Sequence, residues 1–213
     1  TALSDRLVHL HVTANAKDWL ERYAVDQSLH PAVTAFLRSR PDLLDTTEDS
    51  LRRGEMIACT PRSWERVSQI MQAVPDRRIR DTMVAGTIGV APAAEFARVA
   101  DELDAMVTVQ DMLAASRAQR VDLYPDTLNG LVGLIYGLVA QTEADTIAGV
   151  IDVMADIRML KSDRVQALPL GELSSFGFEL LIRKALAQGL QEAFRGSEAY
   201  ADYAQARAET GAL

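Results

Sequence analysis

Segment 126–140 constrains this chain more than any other. Leu131, Val132, Leu134, Ile135, Tyr136, Leu138 and Val139 leave almost no polar face when wound as a helix. A helix apolar on all sides has to be covered on all sides, so the segment predicts the centre of a helical bundle. It is too short to span a bilayer, and no run of about 18 uninterrupted apolar residues occurs anywhere. The sequence also supplies its neighbours. Ile147, Val150, Ile151, Met154 and Ile157 form an amphipathic stripe, with the carboxylates of 143–156 expected on its solvated face. Ile79, Met83 and Ile88, then Phe96, Val99, Leu103 and Met106, recur at helical spacing on either side of a break at Gly89 to Pro92. Val121 to Pro125 reads as a short connection. Pro169-Leu170-Gly171 precedes a long helix reaching Phe194, and Ser197 to Glu209 reads as an alanine-rich tail helix.

The N-terminal third is shorter in its elements and richer in punctuation. Thr13 or Asn15 caps a helix carrying Trp19, Leu20 and Tyr23. His30-Pro31 opens another with proline at its first position, burying Val33, Phe36 and Leu37 and stopping before Pro41. Residues 41–59 lack clear periodicity, and Thr46 to Ser50 reads as a polar loop. Thr60-Pro61-Arg62-Ser63-Trp64 is a sharp helix start, followed by Val67, Ile70 and Met71. Pro75-Asp76 ends that helix and marks the expected boundary. Residues 7–12 give the one strand signal, with Val8, Leu10 and Val12 on one face and Leu7, His9 and His11 on the other. The expected fold is therefore all-α: one short leading strand within 1–12, a small helical domain over 13–75 and a helical bundle over 76–213. Thr1 is not methionine and the strand begins at once, which predicts a fragment whose missing part lies upstream.

Composition narrows the chemistry. The 213 residues carry 22 Lys plus Arg against 30 Asp plus Glu, a net charge of -8, which works against a binder of nucleic-acid phosphates. The lone Cys59 forms no internal disulfide and has no His and Asn/Asp company to make it a nucleophile; with no signal-peptide pattern, a cytoplasmic setting is expected. His9 and His11 could meet His30 at a metal, but no acid or cysteine stands at ligand spacing, so a structural role is expected and no metal. No G-x-x-x-x-G-K-[ST] loop exists to cradle a triphosphate; Gly86-Thr87-Ile88-Gly89 lacks both the spacing and the lysine.

Two arginines stand out. Arg6 precedes the strand in Leu3-Ser4-Asp5-Arg6-Leu7-Val8, and Arg62 sits just inside the Thr60-Pro61 helix start. A guanidinium there adds to the positive end of the helix dipole, a placement that makes sense where an anion arrives. A solvated surface arginine is the alternative. The order Ser-Asp-Arg, strand, short helices and Thr-Pro-Arg resembles the carboxy-terminal half of a MoxR-like AAA+ ATPase. The stretches His30 to Leu37 and Arg40-Pro41-Asp42-Leu43-Leu44 resemble the lid of bacterial members of that group. The resemblance covers residues 1–75. It implies that 1–12 is the remnant of the ATPase core strand, 13–75 the helical lid, and 76–213 a helical domain of no assigned role.

In that family Arg6 falls at the arginine finger, which reaches the neighbouring subunit's nucleotide, and Arg62 at the sensor 2 arginine of the lid. A finger of this kind is worth about 10³–10⁵ in rate. The resemblance further implies ATP and Mg in a parent protein, a homo-oligomeric ring, remodelling of a partner and, by family analogy, action together with a von Willebrand factor A domain protein. Walker A, Walker B and sensor 1 have no counterpart in this sequence; in the family they lie upstream. The fragment alone is accordingly expected to hold no cofactor and to be inactive. The rival expectation is an all-helical protein-interaction module with no nucleotide role.

Overall fold

A helix without a polar face needs neighbours all round, and α10 (Leu128–Ala140) has them. Thr127 opens it, its Oγ accepting the Gly130 N–H at 3.1 Å, and every residue from Gly130 to Val139 is buried. The computed structural model describes residues 8, 13–104, 108–161 and 164–209, and among these the chain is all-α. Arg6 and the expected strand over 7–12, apart from Val8, lie outside the described residues.

Six helices border α10: α2 (Ala24–Asp26), α3 (Pro31–Ser39), α7 (Val90–Asp104), α8 (Val109–Ala114), α11 (Ile147–Ile157) and α12 (Leu170–Gln188). Their closeness depends on missing side chains. A Cβ on Gly137 would sit 2.7 Å from Val109 Cγ2, and one on Gly133 would collide with Leu103. On α12, a Cβ at Gly177 would collide with Met154 of α11 (Ile147–Ile157). α3 is nearly as enclosed as α10, with Ala32 to Leu37 all buried. His30 caps it, Nδ1 accepting the Ala32 N–H at 3.2 Å, and Pro31 takes the first position, where its missing N–H costs nothing.

α5 (Pro61–Ala73), α6 (Arg77–Ile88) and α7 follow one another, with α6 and α7 joined at Gly89, whose φ of 90° a side chain would resist. Phe36, Trp64 and Phe96 meet here, their ring centroids 5.4 to 5.8 Å apart. Near the N-terminus α1 (Ala16–Asp18), a π-helical turn (Trp19–Tyr23) and α2 (Ala24–Asp26) form one run. Asn15 is its cap, accepting the Asp18 N–H at 3.0 Å. One apolar cluster extends from Leu20 to Tyr203 and draws on both sides of Pro75, so the expected boundary falls at a turn within a shared core. No described helix is long and apolar enough to cross a membrane.

Three local expectations are corrected. The aperiodic stretch 41–59 contains a 3₁₀ turn at Pro41–Leu43, and the polar loop expected over Thr46 to Ser50 is in fact the start of a helix, α4 (Thr47–Arg53). Charge rather than an apolar stripe supports α4: Glu48 and Asp49 lie in its first turn, Arg52 and Arg53 in its last, and Arg52 reaches Glu48 at 3.0 Å. The long helix expected to reach Phe194 stops at Gly189, which takes φ 73° as a left-handed cap. The short α13 (Glu192–Arg195) follows, and then the expected tail helix, α14 (Glu198–Glu209). Asp156, expected on a solvated face, is buried. It pairs with Arg120 at 3.3 Å and with Arg117 at 2.8 Å, both from α9 (Arg117–Arg120).

Candidate functional site

The start of α5 is held from three directions. Thr60 Oγ accepts the Ser63 N–H at 3.1 Å while Ser63 Oγ accepts the Thr60 N–H at 2.8 Å, a reciprocal cap that satisfies two otherwise orphan donors. The preceding residue is tied back to residue 46: Cys59 N–H donates to Thr46 Oγ, and Thr46 N–H to the Cys59 carbonyl, both at 2.9 Å. One turn in, the fully buried Trp64 donates its indole N–H to the Leu43 carbonyl at 2.7 Å. A turn further on, Ser68 Oγ accepts the His30 N–H at 2.8 Å.

These bonds join the two stretches singled out in the sequence. His30 to Leu44 and Thr60 to Ser68 form one unit, and Arg62 projects from it into solvent. Among the described residues Arg62 makes no ion pair or side-chain hydrogen bond. Because its neighbours are fixed by caps and by Trp64, its backbone is placed firmly while its guanidinium stays available to an anion. Arg6 lies outside the described residues, so no geometry relates the two arginines.

The other sequence candidates have structural surroundings. Burial pushes the Cys59 thiol up to about 11, opposed by its hydrogen bond with Thr46, and Sγ lies 3.5 Å from the Ile88 carbonyl. A thiol held protonated at neutral pH is a packing group. Burial lowers the His30 pKa, with Asp104 opposing the shift and Arg80 adding to it. His9 and His11 lie outside the described residues, and the described residues hold no cluster of three metal-ligating side chains.

A second set of residues was not legible in the sequence. A cleft of about 900 Å³ opens between the α1 run, the end of α3, the first turns of α12 and α14. Arg38 lies over Phe176, its guanidinium carbon 3.6 Å from the ring centroid. Phe176 in turn meets Tyr136 of α10 edge-on at 5.7 Å. The Tyr136 hydroxyl is buried without a hydrogen-bond partner beside Arg38 and Glu21; burial pushes its pKa up to about 12, against the pull of Arg38. On the far wall Tyr203 accepts from Arg207 through its hydroxyl at 3.0 Å and from Arg158 through its carbonyl at 3.4 Å. One clue was available: a tyrosine inside an otherwise aliphatic helix brings a hydroxyl that needs a partner.

Elsewhere in the interior, Lys184 of α12 reaches the open end of α2, Nζ donating to the Val25 carbonyl at 3.2 Å and lying 3.4 Å from Ser28 Oγ. A cation there offsets the negative end of the helix. The chain matches no protein-family model, no curated protein and no solved structure.

Proposed function

We propose that this chain is the lid and C-terminal helical region of a ring-forming, MoxR-like AAA+ ATPase, and that Arg62 is its sensor 2 arginine. The observation that carries the reading is the start of α5. A capped, proline-led helix presents an exposed arginine without an anionic partner at its N-terminal end, where the helix dipole already favours a phosphate. Support also comes from the docking of the His30 to Leu44 stretch onto α5 through Trp64 and Ser68. In this reading ATP and Mg bind the parent's upstream core. Arg6 acts as a finger toward the next subunit, and the lid angle follows nucleotide state. The setting is cytoplasmic, and the parent remodels its partner together with a von Willebrand factor A domain protein, by family analogy.

The test uses the parent protein. Arg62→Ala is expected to uncouple nucleotide binding from hydrolysis while leaving the melting temperature of the present chain unchanged, since an exposed arginine adds little to folding. Arg6→Ala is expected to abolish turnover, with partial rescue in rings mixed with a phosphate-loop lysine mutant. Normal ATPase activity in both single variants removes the reading. So does a parent without a phosphate-binding loop.

The alternative, a helical interaction module without a nucleotide role, is favoured by one observation: Ile79 and Met83 of α6 and Val90 of α7 are apolar and exposed. It predicts that substituting those residues, and not Arg62, abolishes the parent's activity.

A further inference from the structure

We propose that the cleft between α1, α3, α12 and α14 binds a small organic anion, a carboxylate or phosphate carried on an apolar body. The proposal is independent of the ATPase reading, because it uses neither Arg6 nor Arg62. Its volume, about 900 Å³, lies in the range of small-molecule sites, about 300–1,000 Å³. Its apolar wall is made by Leu20, Leu37 and the face of Phe176.

The charges around it are unevenly matched. Arg207 is taken up by Glu179 at 3.6 Å and by the Tyr203 hydroxyl, and Glu21 by Arg183 at 3.9 Å. Lys17, Arg158 and Arg38 line the cleft without a carboxylate partner among the described residues, and Arg38 is the one held against Phe176. Its guanidinium carbon lies over Phe176, and among the described residues it pairs with no carboxylate; its contact with the neutral Tyr136 hydroxyl leaves N–H donors for a ligand. A guanidinium held against an aromatic ring loses little freedom on accepting an anion.

Two further donors lie beside it. The Tyr136 hydroxyl is buried with no partner, next to Arg38 and Glu21, which both belong to the cleft wall. The hydroxyl does not line the cleft, so it bears on a ligand only through its contact with Arg38. At the end of the cleft α12 begins at Leu170, and Pro169 at its cap brings no side-chain acceptor to the first-turn N–H groups. Gly171 lines the cleft there with open space where a Cβ would be, so an oxygen can approach the backbone. An apolar wall, a guanidinium without a carboxylate partner and a helix start without a side-chain cap together call for a ligand anionic at one end and apolar along the rest.

The experiment titrates the whole chain with phenyl phosphate and with benzoate, following backbone amide shifts, and uses inorganic phosphate and benzyl alcohol as separated halves. At least one ring-bearing anion is expected to bind saturably with a dissociation constant of about 1 mM or tighter, moving Gly171 and Phe176. Each half alone is expected to bind about tenfold more weakly. Arg38→Met keeps the stem over Phe176 and removes the charge; it is expected to weaken binding about tenfold at unchanged melting temperature, with Arg38→Lys in between. The proposal falls if neither anion gives saturable shifts at concentrations up to about 20 mM, well above the expected constant. It also falls if Arg38→Met binds as well as the unmodified chain, or if inorganic phosphate binds as tightly as phenyl phosphate.

Discussion

Two aromatic clusters hold this molecule together in opposite ways. Around Trp64, three rings from α3, α5 and α7 close on one another, each at most 2% exposed, and the one polar atom among them is spent on the Leu43 carbonyl. Around Tyr203, four rings from α12, α13 and α14 also meet, Phe178 lying 4.1 Å from Tyr203 centroid to centroid. Yet clefts open on both flanks of α14, and Tyr203 is its only buried residue. Arginines do much of the fastening there: Arg158 to the Tyr203 backbone and Arg207 to its hydroxyl. The first cluster is a core. The second is a clasp, and a helix held by one ring and a few polar contacts opens at lower free energy than the molecule unfolds.

Trp64→Ala should cut deepest. It removes the largest fully buried side chain and strands the Leu43 carbonyl, so denaturant unfolding should show a loss of about 4 kcal/mol. A loss below about 1 kcal/mol, the scale of a surface change, would mean that the rings are not a shared core. Tyr203→Ala removes nearly as much ring but should cost only about 2 kcal/mol, because undocking of α14 caps the penalty. Hydrogen exchange should accelerate in α14 and leave α3 and α10 untouched; acceleration in α10 would erase the distinction between core and clasp.

The smallest effect is expected at the edge of the first cluster. The His30 pKa is lowered in the folded chain, so the unfolded chain binds the extra proton first, and stability falls as pH drops below the ordinary value of 6.5. His30→Asn keeps an acceptor at the cap of α3 and cannot take up that proton. Its stability should therefore lose the part of the pH dependence below 6.5 that belongs to His30, and an unchanged profile would place the acid sensitivity elsewhere.

What could be read beforehand follows the same division. The helix starts at Thr60 and His30, the proline at position 61 and the burial of α10 are local or periodic properties, and a sequence displays those directly. α4 escaped because its support is charge, which leaves no apolar period to find. Asp156 escaped because its partners on α9 lie outside its own helix, and nothing within 143–156 distinguishes a solvated carboxylate from a paired one. The cleft escaped for the plainest reason. Arg38, Tyr136, Phe176 and Tyr203 are brought together by packing across more than half of the chain, so no spacing relates them. The resemblance rested on residues 1–75, while the fold adds that α3 of that stretch and α10 of the remainder are neighbours in one interior.

The reach of Lys184 into the end of α2 has a chemical corollary. The sequence has three lysines, and Lys17 and Lys161 are exposed while Lys184 is buried with its ammonium on the Val25 carbonyl. Toward an amine-reactive reagent the folded chain thus presents two fast side-chain amines and one slow one. The slow amine yields only when the N-terminal helical run lifts from α12. The molecule carries its own gauge of that opening, read by mass spectrometry without any engineered label.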